Sequence, residues 1–328
     1  SLFFSYPKPL PVLQGPLAVN TLLKKAQRIF EGEIIGPESF AADRNGTFDS
    51  EPICGRPKGM KMNPLDPNNS LVFIDSYSGL QEVNVHTGEI KTHISKNEGV
   101  NNVPFYFLNA LDITRDGKIY FTDSSLKWDR RNYRYEVIEV NKQGRLMTYD
   151  LTTGESKLLL DKLFLANGIA LSQDESMLVV AEMSACRIRR YYLKGDKAGQ
   201  TDILIENLPG YPDNIKLNSK GHFYVGMGSV RYYGVSKIGP FLDLVGPYPA
   251  VKRFLTKITP LKLFDIFMPK HSIILEIDIH GNIVSSLHDL GAKVIQASGE
   301  GFEHNGTLYV GSFWAPYVGQ LDLSDIRS

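Results

Sequence analysis

Asp116-Gly117-Lys118-Ile119-Tyr120-Phe121-Thr122-Asp123 opens on a turn, alternates through an apolar run and stops on an acid. Apolar residues with a period of two, bounded by turn residues, read as a β-strand. The same form stands at Asn69-Ser70-Leu71-Val72-Phe73-Ile74-Asp75 and at Glu175-Ser176-Met177-Leu178-Val179-Val180-Ala181-Glu182. It returns as Lys220-Gly221-His222-Phe223-Tyr224-Val225-Gly226 and as Asn305-Gly306-Thr307-Leu308-Tyr309-Val310-Gly311. From stop to stop the intervals are 48, 59, 44 and 85 residues. Further strands between them run into charged hairpin turns, as at His86-Thr87-Gly88-Glu89, Leu151-Thr152-Thr153-Gly154-Glu155 and Ile279-His280-Gly281-Asn282. A four-stranded unit repeated near this period cannot bury both its faces alone and packs with its copies around an axis, which predicts an all-β propeller. The long last interval holds an additional blade and an insertion.

That insertion, residues 229–271, breaks the alternation. Apolar residues such as Phe241, Leu244, Phe254 and Ile258 are spread among lysines and prolines. The pattern predicts short helices that cap one face of the ring or dip into a membrane surface. Lys252, Arg253, Lys257 and Lys262 equally suit any exposed helix face.

The chain has 328 residues, 42% hydrophobic and 22% charged, with 36 basic and 36 acidic side chains. This is enough chain for a sizeable core. A formal charge of zero gives no electrostatic footprint for nucleic acid. No apolar run is long enough to span a bilayer. Cys54 and Cys186 are the two cysteines, and their pairing is not readable from spacing. Asn45-Gly46-Thr47, Asn68-Asn69-Ser70 and Asn305-Gly306-Thr307 are glycosylation acceptors if the chain enters the secretory pathway. Before the first repeat, Pro7-Lys8-Pro9 begins an extended segment, and the end of the stretch 17–30 is a short ordered element.

In Pro209-Gly210-Tyr211-Pro212-Asp213-Asn214-Ile215 an acid and an amide stand side by side at a strand start. Gly36-Pro37-Glu38, Leu108-Asn109-Ala110 and Ala166-Asn167-Gly168 stand at three other strand starts. Equivalent places in different blades converge on the axis. Glu38, Asn109, Asn167, Asp213 and Asn214 then form a cluster of two carboxylates and three amides. Oxygen donors of this kind suit a hard cation such as calcium better than zinc. Taken singly, each is also an ordinary turn residue. Tyr211 and Phe105 are placed to line the mouth of the axis or to pack. Trp128, in a long loop with Asp129-Arg130-Arg131, is placed to stack on a ligand or to cover a blade edge. Asp123 and Glu182 are expected to make structural hydrogen bonds.

Several stretches resemble the strictosidine synthase-like branch of the calcium-dependent hydrolase propellers, which also holds paraoxonases and gluconolactonases. They are GPESFA (36–41), EPICGRPKGM (51–60), KIYFTDSSLKWDRRNY (118–133), GRLMTYD (144–150), ANGIALS (166–172), AEMSACRIRRYYL (181–193), LPGYPDNI (208–215), SLHD (286–289) and EHNGTLYVGSF (303–313). The resemblance implies a six-bladed propeller and a catalytic calcium bound at Glu38, Asn109, Asn167, Asp213 and Asn214. It also implies a type II membrane protein, with a removed N-terminal anchor and a glycosylated extracellular or luminal propeller. On that reading residues 1–30 are an extended segment after the anchor, its end closing the ring, and 31–328 are one propeller.

The departures from the resemblance shape the expected chemistry. Lys58 falls where paraoxonases carry a catalytic histidine. Gly299, with Glu300 adjacent, falls where strictosidine synthases carry a glutamate, so alkaloid-type condensation is not expected. Ser39 and Ala110 replace acids that hold a second calcium in relatives, so one ion is expected. Only nine residues, 42–50, separate GPESFA from EPICGRP, so either the first blade is curtailed or residues that relatives carry there are left out of this sequence. Cys186 is then a buried free thiol. The expected activity is weak calcium-dependent hydrolysis of aryl esters or lactones, with Asp213 catalytic and Lys58, Tyr211 and Trp128 near the substrate. The alternative is a non-catalytic receptor or binding module with a structural calcium and a protein partner.

Overall fold

The computed structural model describes residues 3–33, 55–232, 236, 238–260, 263 and 269–326. Five four-stranded sheets are present among them, and every strand pairing is antiparallel. The first sheet holds β2 (Pro57–Met62), β3 (Ser70–Asp75), β4 (Gly79–Asn84) and β5 (Ile90–Ser95). The second holds β6 (Leu108–Ile113), β7 (Lys118–Asp123), β8 (Lys142–Asp150) and β9 (Ser156–Phe164). The third holds β10 (Ala166–Leu171), β11 (Met177–Glu182), β12 (Arg187–Tyr192) and β13 (Thr201–Ile205). The fourth holds β14 (Gly210–Leu217), β15 (Phe223–Val230), β16 (His271–Ile277) and β17 (Ile283–Leu290). The fifth holds β18 (Ser298–His304), β19 (Thr307–Ser312), β20 (Val318–Asp322) and, as its outer strand, β1 (Gln27–Ile29) from the other end of the chain.

The period-two pattern explains why these sheets stack as blades. Ile169 and Leu171 on β10, with Leu178 and Val180 on β11, pack against Tyr120 and Leu146 of the second sheet. Their alternates Ala170, Val179 and Ala181 pack against Ile215, Val225 and Leu275 of the fourth. Phe223 and Val225 share that second cluster, whereas Tyr224 between them joins Leu308 and Val310 of the fifth sheet. Each strand thus feeds two cores, one on each face, and β10, β11 and β16 are buried throughout. Each such Val, Leu or Ile contributes about 1.5–3 kcal/mol by leaving water. Neighbouring sheets meet through their first strands, in the order β2, β6, β10, β14, β18. This makes those five strands the lining of the axis.

The acids that end the repeats pin the loops leading to those inner strands. Asp123 accepts from the backbone N–H groups of Phe107 at 2.7 Å and Tyr106 at 3.2 Å, just before β6. Its other partner is Arg145, at 2.7 Å in a buried ion pair. Glu182 accepts from Phe164 N–H at 3.2 Å, just before β10, and is clamped by Arg187 and Arg189. The structural role expected of both acids is the one they have.

Between β15 and β16 the chain forms α2 (Ile238–Val245) and α3 (Pro249–Ile258), after α1 (Tyr133–Glu139) in the second sheet's own excursion. Proline at the first position of α3 fits a helix start. Leu242 and Val245 bury against the ring, while Phe241, Leu244, Phe254 and Ile258 are exposed. The stretch 17–30 resolves into a short 3-10 turn, Leu22–Lys25, and then β1. Glu38, Ser39, Asn45 and Cys54, and with them the expectation of a sixth, curtailed blade, lie outside the described residues.

Candidate functional site

Each inner strand slips register against its partner near its start, and the expected site residues sit at the slip. On β6 the pairing jumps from Leu108 to Leu111, bypassing Asn109 and Ala110. On β10 it jumps from Ala166 to Ile169, bypassing Asn167 and Gly168. On β14 it jumps from Pro212 to Ile215, bypassing Asp213 and Asn214. On β2 it bypasses Lys58 and Gly59, and on β18 it bypasses Gly299. A bulge of this kind takes a residue out of the ladder and re-aims its side chain. Five equivalent bulges therefore set five corners around the axis: Lys58, Asn109, Asn167, Asp213-Asn214 and Gly299.

Four of the five expected metal ligands are thus brought to equivalent places, all of them buried. Asn167 Nδ2 donates to Asp213 Oδ1 at 2.6 Å and lies 3.2 Å from Met183 Sδ. Asn109 Nδ2 donates to Ser124 Oγ at 2.9 Å. With their amide nitrogens so engaged, Asn109 Oδ1 and Asn167 Oδ1 are buried without a hydrogen-bond partner. Such orphans carry a desolvation cost that a cation removes. Space is kept beside the second carboxylate oxygen. A Cβ on Gly299 would lie 3.0 Å from Asp213 Oδ2, and one on Gly228 would lie 3.1 Å from it. Gly168 is required for another reason, since a Cβ there would strike the Asn214 backbone at 2.5 Å. Among the described residues no group of three His, Cys, Asp or Glu forms a metal cluster. The donors that do gather are amides with one acid, and Glu38, the second carboxylate of the expected set, lies outside the described residues.

The other expected residues are more dispersed. Lys58 is buried at the corner equivalent to Asn109. Glu300 does not stand in for the residue at Gly299: it pairs with Gly311 in the ladder and lies 3.6 Å from Lys216 Nζ. Tyr211 is buried beside Tyr6, Cys186, Arg231 and Asp243. Cys186 is a free thiol, pushed up to about 12 by burial. Trp128 belongs to the α1 cluster, its indole Nε1 donating to Glu139 Oε2 at 2.9 Å and its ring 5.0 Å from Tyr135. There Glu136 is raised to about 7 by burial, and Lys252 of α3 is lowered to about 8, also by burial. Asn68 and Asn305 lie exposed in turns.

Three supports of the site went unread in the sequence. Ser76 Oγ donates to Leu108 O at 3.0 Å and Ser124 Oγ to Ala166 O at 2.5 Å, so each blade's serine holds the next blade's corner. The signal was present as Asp75-Ser76 and Asp123-Ser124. Met183, one residue after Glu182, takes the same position in the third sheet. The third support is Gly228, whose missing side chain leaves room at Asp213.

The fold and its corners define a propeller of the strictosidine synthase-like and gluconolactonase-like kind. A family model described as strictosidine synthase matches residues 109–196, and one described as strictosidine synthase-like, N-terminal, matches 15–48. A gluconolactonase from Xanthomonas campestris superposes with a TM-score of 0.50 at 12% identity, over 77% of this chain and 68% of that one. A putative gluconolactonase superposes with a TM-score of 0.50 at 11% identity, over 91% of each chain. At these identities the likeness is one of fold. The chain belongs to the adipocyte plasma membrane-associated protein family. It is 39% identical to the bovine protein of that name (Bos taurus), over 97% of this chain and 84% of the relative. The human protein (Homo sapiens) is also 39% identical, over 98% and 84%. An Arabidopsis thaliana protein named strictosidine synthase-like 10 is 35% identical over 83% of this chain and 71% of its own. The bovine alignment runs over 354 residues against the 328 of this chain, so the relative carries residues that this chain lacks.

Proposed function

We propose that this protein is a calcium-dependent hydrolase of aryl esters or lactones, working at the mouth of the propeller axis. The observation that carries the reading is the pair of orphaned amide oxygens at equivalent corners, on Asn109 and on Asn167, the latter bonded through its amide nitrogen to the Asp213 carboxylate, against which Gly228 and Gly299 place no side chain. Asn109, Asn167, Asp213 and Asn214, with Glu38 from a curtailed first blade of a six-bladed ring, would hold the ion. Bound there, calcium supplies a Lewis acid for the substrate carbonyl oxygen and for the charge that grows on it. The residues of the chain do the rest. Asn167 fixes the Asp213 carboxylate through Oδ1. Oδ2 then faces the glycine-lined space and takes the proton of the attacking water. Lys58 shares the ring of corners and orients the acyl group. The burial of all these groups keeps bulk water away from the reacting atoms. With no histidine at the Lys58 corner, turnover is slow. One ion suffices, because Ala110 occupies the bulge without a donor side chain.

The proposed setting is a type II membrane protein with its propeller outside the cytoplasm, glycosylated at Asn45, Asn68 and Asn305. The names of the relatives place them at the plasma membrane. No helix among the described residues is long and apolar enough to cross a membrane. In this proposal the crossing is made by an N-terminal anchor. The exposed Phe241, Leu244, Phe254 and Ile258 of α2 and α3 support contact with a lipid surface or with the acyl part of a substrate.

The test is calcium titration of chelated protein together with phenyl acetate hydrolysis with and without the ion. One bound ion and calcium-dependent turnover, both lost in Asp213→Asn, are expected. Turnover that survives chelation sinks the reading. Binding without turnover leaves the chain as a receptor module with a structural ion.

A further inference from the structure

α3 is turned inside out. A helix on a globular surface carries its apolar stripe toward the core. Here Lys252 and Thr256 are the buried residues of the helix, whereas Val251, Phe254 and Ile258, spaced by three and four on the opposite face, are exposed. The inward side is held by polar bonds to α1. Thr256 Oγ1 donates to Glu139 Oε1 at 3.3 Å, and the Tyr135 hydroxyl donates to Thr259 O at 3.3 Å. Lys252 is buried in the field of the same Glu139. Rotating α3 to hide Phe254 would draw Thr256 and Lys252 out of that contact. Phe241 and Leu244 of α2, which touches α3, and Tyr248 between the helices add to the exposed apolar set. Leu244, Tyr248, Phe254 and Ile258 are each between 57% and 65% exposed. Single apolar residues scattered on a surface need no explanation, but six within 241–258 do.

The charges on this face have one sign. Arg253 and Lys257, one turn apart, are exposed beside the apolar stripe. Asp243 is the one acid of the two helices, and it is buried. Residues 229–271 carry seven basic and two acidic side chains, in a chain whose formal charge is zero. A protein partner's footprint is depleted in lysine and rimmed by mixed polar groups. Aromatic and aliphatic side chains flanked by Lys and Arg, with no exposed acid, are the composition of a helix lying in a lipid headgroup layer. The N-terminal segment comes to the same place. Phe4 N–H donates to Gly246 O at 3.3 Å, immediately after α2, and Phe3 is 72% exposed. An anchor preceding Phe3, as in the setting proposed above, would hold this face at the bilayer. We propose that the outer face of α2 and α3 docks the propeller on an anionic lipid surface, with its apolar side chains at headgroup level and Arg253 and Lys257 on the lipid phosphates. Docking needs neither calcium nor turnover, and it rests on the membrane setting of the reading above, not on the chemistry.

The test is co-sedimentation of the 328-residue chain, in chelator, with vesicles of phosphatidylcholine alone and with vesicles that also contain phosphatidylserine. Each basic side chain near an anionic surface contributes about fivefold, so the two should make binding to the serine-lipid vesicles about thirtyfold tighter. Arg253→Gln combined with Lys257→Gln should remove that preference. Leu244→Ser and Phe254→Ser should each weaken binding to both vesicles by about tenfold. These side chains are exposed, so the melting temperature should stay that of the parent. Val284→Ser, at an exposed position on β17, should bind as the parent does. Absence of partition, equal binding to both vesicles, full binding by Leu244→Ser and Phe254→Ser, or equal loss in Val284→Ser overturns the proposal. Absence of partition would leave the face to a protein partner. A chain that binds vesicles in this way yet hydrolyses no ester loses the hydrolase reading and keeps this one.

Discussion

Gly299 stands against the carboxylate of Asp213, so close that its missing side chain is part of the site. A Cβ there would lie 3.0 Å from Asp213 Oδ2 and 3.6 Å from Phe313 Cδ1. Gly299→Ala is therefore expected to move the carboxylate without disturbing the ladder, which skips this residue. A misplacement of about 1 Å costs on the order of a hundredfold in rate. Calcium-dependent ester hydrolysis should fall to that extent with little change in melting temperature. Unchanged turnover in a folded Gly299→Ala protein would show that Oδ2 is not the working oxygen.

Calcium bound only by the folded state stabilises it, by about 2.7 kcal/mol at a hundredfold excess over Kd. Thermal melts with calcium and with chelator should differ by several degrees. Asn109→Ala, Asn167→Ala and Asp213→Asn should each abolish that difference. A variant that retains the full shift is not a ligand. Glu38→Gln applies the same readout to the fifth expected ligand.

Asp123 and Arg145 form a buried pair, and losing one partner leaves the other charge uncompensated. Arg145→Met should lower unfolding free energy by about 3–5 kcal/mol, read from urea midpoints. Because Asp123 also holds the loop into β6, calcium affinity should drop in the same variant. Stability lost with affinity intact would separate the pin from the corner.

His271 and His288 meet at 2.9 Å between Nε2 and Nδ1, with His271 bonded on its other side to the Tyr232 hydroxyl. Burial lowers each from 6.5 to about 4. The folded values lie below the unfolded ones, so the unfolded chain binds protons first. The stability linked to this pair is present above pH 6.5 and is lost as pH falls toward 4. A urea midpoint that drops over this window in the parent and drops less in His288→Gln is expected. Identical profiles would remove the pair from the acid response.

Much of this was legible in the residues. Repeats ending at Asp75, Asp123 and Glu182 marked the second strands, and Asn109, Asn167 and Asp213 stood out at the starts of the first. The apolar runs of β10 and β11 show alternation, but only packing reveals that each alternate feeds a different core. The bulges were illegible, because register is a relation between two strands and no single segment records it. That is why Lys58 and Gly299 were recognised through family resemblance and not as corners of one ring. The His271–His288 contact joins residues from separate strands of one sheet, and neither flanking sequence announces it.

The register slips have a consequence for how such a protein changes over time. Each corner is a cassette of one or two residues excluded from the ladder, so its occupant can be rewritten by a single codon while the strands keep their pairing. Asn109 and Asn167, Lys58 and Gly299 are three different answers in four equivalent sockets. Lineages that share this ring can therefore drift between chemistries, or out of catalysis altogether, without passing through an unfolded ancestor.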